Sequence, residues 1–309
     1  MFRLLYKGVF RYTWHQIGKS DKKTHAGIKP IENINLSVVH YIDDKDKNHL
    51  MNILRKQGRD DVRPLLIDIH GGGWMYGDKD LNLFYNQWFA DKGYVVASMT
   101  YPLVFSKRID VIVQDLFASM NYLFDHAEEY HIDKNRIYLT GDSAGGHLSL
   151  LCLAISQSPR LQGIYHVKPL PFTVKACVLT HAVPYVKDLD FLPTHPHLNK
   201  NARDEFLALM CGGNYKSPKN ILYSNCSMED FRKEMKVLPP IFVTTSVGDK
   251  ELSPKTNRMK DELIQDGHQV EYYCVPDPKF VHVHNVTDPT DPLSVEVNEK
   301  ALAFCEAHR

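Results

Sequence analysis

Apolar and polar positions along this chain divide it into short buried runs and longer periodic segments. Residues 65–69 and 94–99 are brief, almost continuous apolar stretches. That is how strands covered on both faces of a parallel sheet read. A helix is expected between them, over about 81–92. A longer one follows over 109–130, where Val113, Leu116, Phe117, Met120, Leu123 and Phe124 recur at helical spacing. Further strands are predicted at 137–140, 174–180, 241–246 and 270–275. Helices are predicted directly after the first of these, near 254–266, and near 295–307. Upstream, 34–41 alternates in part, and with 50–54 across the charged turn 43–47 it predicts an antiparallel hairpin at a sheet edge. The stretch 184–238 reads as irregular. Repeats and low-complexity tracts are absent. This alternation predicts an α/β protein with a doubly wound, mostly parallel sheet flanked by helices, as one domain over 1–309. In such sheets functional groups gather at the carboxyl ends of the strands, so the residues just past each strand matter most.

The N-terminal stretch 1–17 predicts an amphipathic helix docked on the body of the protein, with contact to a membrane surface as the alternative. Phe2, Leu5, Tyr6, Val9, Phe10 and Ile17 share one face, and Arg3, Lys7 and Arg11 share another. The basic residues interrupt any apolar h-region, so no secretion signal is expected. A polar connection is expected over 21–30. No stretch approaches the roughly 18 uninterrupted apolar residues of a membrane span, so stable membrane insertion is not expected. Lysine plus arginine (37) equals aspartate plus glutamate (37), which gives no field that would draw nucleic acid. The six cysteines, Cys152, Cys177, Cys211, Cys226, Cys274 and Cys305, form no C-x-x-C pair. They read as free thiols of a reducing, cytoplasmic compartment rather than as a zinc site or a disulfide framework.

The candidate chemistry centres on Gly141-Asp142-Ser143-Ala144-Gly145, where a strand passes straight into a helix. In a G-x-S-x-G elbow the serine takes a strained backbone so that its hydroxyl stands clear of the sheet, and the glycines remove side chains that would collide. Directly after the run 65–69 stands His70-Gly71-Gly72-Gly73-Trp74. Three glycines in succession imply a backbone that must approach something closely, such as the oxyanion of a tetrahedral intermediate. Gly72, Gly73 and Ala144 are the expected N–H donors, with His70 supporting the loop. Each such donor can contribute about 3 to 4 kcal/mol in the transition state.

A serine hydroxyl needs a base, and the base needs a carboxylate to orient it. In this topology both follow the serine, acid first. Asp249 lies just past the strand 241–246, with Glu251 as a nearby alternative acid. Beyond the strand 270–275, His282 and His284 both qualify as base. In an extended segment they would face opposite ways, so only one could reach Ser143. A His-x-His pair can also bind metal, but no clustered carboxylates or cysteines complete a site, and His195 and His197 read as surface histidines among prolines. The reaction needs no metal or organic cofactor.

Taken together, His70-Gly71-Gly72-Gly73, Gly141-Asp142-Ser143-Ala144-Gly145-Gly146, Asp249 and the late histidine resemble the hormone-sensitive-lipase-like family of α/β-hydrolases, largely microbial carboxylesterases. The resemblance runs from about residue 60 to the C-terminus, and Leu238-Pro239-Pro240 and Ile132-Asp133-Lys134-Asn135-Arg136 also look like family sequence. It implies His282 as the base, because in relatives with a His-Val-Phe-Asn ending the first histidine serves. It also implies a lid from 1–30 and 184–238, with Phe191, Leu192, Phe206, Leu207, Leu209, Met210, Leu222 and Tyr223 lining or supporting a pocket. The departures are Lys250-Glu251-Leu252 after the acid, in place of Asp-Pro-Leu, and a late motif that is not His-Gly-Phe. The expected function is hydrolysis of short-acyl esters of small molecules. Hydrolysis of an amide or formamide by the same triad is an alternative, as is a catalytically silent ligand-binding role. Edge strands and the last helix leave a homodimer open.

Overall fold

The computed structural model describes residues 2–191 and 196–309. Its centre is an eight-stranded sheet: β1 (Ile34–His40), β2 (Leu50–Lys56), β3 (Arg63–Ile69), β4 (Val95–Met99), β5 (Ile132–Asp142), β6 (Val174–Thr180), β7 (Ile241–Ser246) and β8 (Val270–Val275), in the order β1-β2-β4-β3-β5-β6-β7-β8. β1 pairs antiparallel with β2, and β2 with β4; every other pairing is parallel. The expected edge hairpin and doubly wound sheet are both present.

The helices between the strands are α1 (Phe2–His25), α2 (Leu83–Asp91), α3 (Ile109–Asp125), α4 (Ala144–Gln157), α5 (Pro159–Tyr165), α6 (Pro196–Cys211), α7 (Met228–Phe231), α8 (Ser253–Gln265), α9 (His284–Thr287) and α10 (Pro292–Ala307). Strand periodicity sorts the core into two layers. Leu65, Ile67 and Ile69 of β3 join α3 and α4 side chains such as Leu116 and Leu148 on one face. Leu66 points the other way, to Tyr85 and Phe89 of α2 and Phe304 of α10. Each such side chain contributes roughly 1.5–3 kcal/mol on full burial. The apolar runs of β3 and β4 follow from this cover on both faces.

Several boundaries differ from the sequence expectation. The N-terminal helix extends into the expected polar connection, as far as His25, with Lys22, Lys23 and His25 in its last turn, where cations complement the helix dipole. Tyr6 and Phe10 are buried against the body while Ile17 is exposed; the side chains of Phe2 and Leu5 lie outside the described residues. The long helix stops at Asp125 instead of 130. From there the chain turns, with His131 at φ 55°, so that Ile132 can enter the core as the start of β5.

The stretch 184–238 is not irregular throughout. α6 runs for 16 residues, with Pro196 at its start, where a missing N–H is harmless, and Ala202, Phe206 and Met210 buried four apart. The four-residue period was present but short, and the prolines around it masked it. α7 opens on a capping box of Ser227 and Asp230. All six cysteines are free, five of them buried. Among the described residues no helix is long and apolar enough to cross a membrane.

Candidate active site

β5 delivers its last residue, Asp142, to the sheet's carboxyl edge, and α4 begins at Ala144. The residue between them, Ser143, has φ 50° and ψ −115°. A backbone strained in this way costs on the order of 1–3 kcal/mol and persists only where the surroundings enforce it. Here the Ser143 N–H donates to the Thr180 carbonyl at 2.9 Å, and the Val183 N–H donates to the Ser143 carbonyl at 3.1 Å. Gly145 lets the helix pack tightly behind, since a Cβ there would lie 1.8 Å from the Ile69 carbonyl oxygen.

His282 Nε2 is 2.9 Å from Ser143 Oγ, and His282 Nδ1 is 2.7 Å from Asp249 Oδ2. A carboxylate only accepts, so the proton on this ring sits on Nδ1 and leaves Nε2 as acceptor for the serine hydroxyl. Asp249 follows β7, and its Oδ1 accepts the Leu252 N–H at 3.2 Å. Burial alone would raise the Asp249 carboxyl, but hydrogen bonds from His181 and His282 outweigh it and hold the group well below the ordinary carboxylate range. Glu251, the alternative acid, is exposed. His284 is turned away from Ser143: Val283 adopts φ 51°, the extended run expected here is broken, and His284 opens α9. Its ring lies edge-on to Phe280 at 4.7 Å and 3.8 Å from the Asp291 carboxylate.

The glycine loop is held from beneath. Asp142 Oδ1 accepts the Gly71 N–H at 2.9 Å and the Asn82 side-chain amide at 2.8 Å, while Asn86 donates to Asp68 Oδ2 at 2.8 Å. Both aspartates are buried, and burial together with the neighbouring Asp142 pushes the Asp68 carboxyl up to about 7. His70 stacks on Tyr101 at 4.2 Å and 10°, its Nδ1 lies 2.9 Å from the Gly71 carbonyl, and burial lowers its imidazole to about 4. That is a neutral supporting ring, away from the reacting atoms. Trp74 Nε1 donates to His147 Nδ1 at 3.2 Å, and His147 Nε2 donates to the Cys226 carbonyl at 2.7 Å, tying the loop to the segment before α7. Among the described residues the N–H groups of Gly72 and Gly73 donate to no protein acceptor. They and Ser143 border one cavity.

That cavity holds about 370 Å³. Trp14, Ile17, Val183, Leu189, Phe191 and Val286 supply much of its apolar wall. Of the other residues named for a pocket, Phe206, Leu207, Met210 and Leu222 are buried in the cover itself, Leu209 and Tyr223 are partly so, and Leu192 lies outside the described residues, as does His195. The sequence reading missed Asp68, Asn82, His147 and His181. Of these, His181 was within reach of the rule already applied, since it stands one residue past the end of β6. Its ring, with Asp249 and His282, brings one potential metal-ligating atom from each residue within 4.8 Å of the others, and the hydrogen bonds among them account for that closeness.

The BD-FAE family model matches residues 51–263, which takes in the elbow, the glycine loop and Asp249. The chain belongs to the BD-FAE family. This places it among the α/β-hydrolases of hormone-sensitive-lipase-like kind, as the motifs had implied. As a BD-FAE protein it is similar in structure to esterase B of Lactobacillus rhamnosis, with a TM-score of 0.90 and 27% identity over 99% of this chain and 95% of that one. A structure of the same esterase inhibited by a tributyrin phosphonate matches at 0.89 and 27%, over 98% and 95%. In sequence it is similar to the isoprenylcysteine alpha-carbonyl methylesterase of Arabidopsis thaliana, 24% identical over 64% of this chain and 42% of that protein. It is also similar to carboxylic ester hydrolase LipN of Mycobacterium tuberculosis, 33% identical over 32% of this chain and 27% of that protein. The matched stretch is thus less than half the length of either curated relative.

Proposed function

We propose that this BD-FAE protein is a serine carboxylesterase acting on short-acyl esters. The observation that carries the reading is the unbroken line Ser143 Oγ, His282 Nε2, His282 Nδ1, Asp249 Oδ2, with spacings of 2.9 and 2.7 Å at its two contacts. In the proposed reaction Ser143 attacks the ester carbonyl as His282 takes the hydroxyl proton. The carbonyl oxygen, now anionic, is met by the N–H groups of Gly72, Gly73 and Ala144. His282 then gives its proton to the departing alkoxide, leaving an acyl-serine, and a water activated by the same imidazole releases the acid. Asp249 holds the Nδ1–H tautomer throughout and stabilises the imidazolium.

α1 and the stretch 184–238 serve as the lid in this reading. Trp14 and Phe191 line the cavity alongside Ser143, where they would bound the acyl group. The likeness to an esterase inhibited by a tributyrin phosphonate supports a short acyl chain. Ser143→Ala is expected to abolish hydrolysis of p-nitrophenyl butyrate while leaving the unfolding temperature unchanged. In an acyl series from acetate to dodecanoate, kcat/KM is expected to peak at the short end. Full activity in Ser143→Ala, or a maximum at dodecanoate, would overturn the respective part.

A further inference from the structure

We propose that His181 is a positioning residue, donating a second imidazole hydrogen bond to Asp249 Oδ2 and so fixing the carboxylate that orients His282. This rests on the triad reading above. His181 stands one residue past β6 with φ 48°, a left-handed backbone that a non-glycine residue rarely adopts. Its own N–H is tied to the Thr244 carbonyl at 2.8 Å, which holds the turn in place. The side chain is fully buried, and its Nδ1 lies 2.8 Å from the same oxygen that His282 Nδ1 meets at 2.7 Å. The two rings meet edge to face, with centroids 5.3 Å apart at 87°.

Protonation follows from the partners. Asp249 Oδ2 can only accept, so His181 carries its proton on Nδ1. Burial pushes this imidazole below its ordinary range, which keeps it neutral. Its Nε2 is then an acceptor with no partner among the described residues. An imidazole held on an unfavourable backbone, with one buried nitrogen unpaired, is a poor way to fill space; an apolar ring would do so at lower cost. What the imidazole adds is its bond to Asp249.

That bond has two effects. The carboxylate, already fixed at Oδ1 by the Leu252 N–H, cannot rotate away from His282. The second donor also draws on the charge of Oδ2, which would otherwise act on His282 alone. Other ionisable groups around the pair are Asp142 behind Ser143, His284 beyond Phe280, the exposed Lys250 and Glu251, and Asp21, His25 and Asp190 on the cavity wall. None of the hydrogen bonds to the Asp249 carboxylate comes from these.

The test compares His181→Phe and His181→Ala, which lack the donor, with His181→Asn, whose side-chain amide can replace Nδ1–H and which tolerates positive φ. With p-nitrophenyl butyrate from pH 5 to 9, the donor-less variants are expected to lose about 10- to 100-fold in kcat, as when an outer hydrogen-bonding partner of a metal ligand is removed, with KM little changed. The acid limb of their kcat/KM profile should move to higher pH, and His181→Asn should restore both rate and limb. Wild-type kcat and limb in a folded donor-less variant, or a His181→Asn as impaired as His181→Phe, overturns the proposal. If neither donor-less variant folds, the wild-type protein decides. With ¹⁵N-labelled histidine, His181 is expected to show a protonated Nδ1 and a bare Nε2 at neutral pH, and the reverse tautomer overturns the proposal. Ser143→Ala run alongside separates the two ideas. Activity in that variant sinks the triad itself, whereas an inactive Ser143→Ala beside a normal His181→Phe sinks only the role of His181.

Discussion

The floor and the wall of the cavity around Ser143 are built by different physics. The floor, at the carboxyl edge of β3, β5 and β7, is a network of directed bonds: Asp142 to Gly71 and Asn82, His70 to Gly71, Asp249 to His181 and His282. The wall, from α1 and the chain around Phe191, is mainly packed rings, with Trp14 stacked on Tyr76 at 5.9 Å and Phe191 against Phe10 at 5.2 Å. Directed bonds fix atoms to fractions of an ångström, which proton transfer requires. Packed rings fix volume, which substrate choice requires, and they tolerate exchange of one apolar shape for another. Changes in the floor should therefore cost rate, and changes in the wall should alter preference.

The largest expected effect breaks the floor. Asp249→Asn should lower kcat by about 10³- to 10⁴-fold with a modest change in KM, because an amide can present the wrong hydrogen-bonding partner to Nδ1. Steady-state kinetics on p-nitrophenyl butyrate would check it, and a variant within tenfold of wild type would contradict the contrast. Gly73 is where the two regions touch: its φ is 57°, and a Cβ there would lie 2.2 Å from the Trp14 ring. Gly73→Ala should cut kcat by about 10- to 100-fold, less than loss of a full donor at the upper end. Pairing it with Trp14→Ala should recover part of that loss, since residues in contact are not additive.

Trp14→Ala alone should leave kcat for the butyrate ester close to wild type while raising kcat/KM for longer acyl esters about tenfold relative to it, in line with the roughly 1–3 kcal/mol that one methylene is worth in an apolar pocket. An unchanged chain-length profile would place the acyl group elsewhere in the cavity. The smallest effect is on stability. Asp68 is raised to about 7 in the fold, so the folded protein keeps a proton that the unfolded chain releases at the lower, ordinary carboxylate pKa. Its contribution is complete below that unfolded value and is lost as pH rises through about 7. The unfolding temperature of Asp68→Asn relative to wild type should therefore shift in favour of the variant between pH 5 and pH 8.

The strands, the edge hairpin and both glycine motifs were legible because each depends on residues close together in sequence. A strand covered on two faces needs an apolar run, and an elbow that packs on a carbonyl needs glycine at 145. Ser143 and Asp249 were legible as candidates for the same reason, each lying next to the end of a strand. The choice between His282 and His284 came from the family resemblance and not from the local pattern, because it turned on one left-handed residue, Val283, that ended the extended run. α6 was missed because a short helical period among prolines carries little signal until its buried side chains have a body to pack against.

What the chain determined alone was therefore the set of parts and their order: local sterics and periodicity dictate strands, helices and the elbow wherever the chain goes. What only the tertiary structure decided was which distant polar groups share a proton. Asp249 meets His181 across 68 residues, His282 meets Ser143 across 139, and Asp142 meets Gly71 across 71. Hydrogen bonds act over about 3 Å, so no pattern along the chain can specify such meetings until packing has brought the strand ends together.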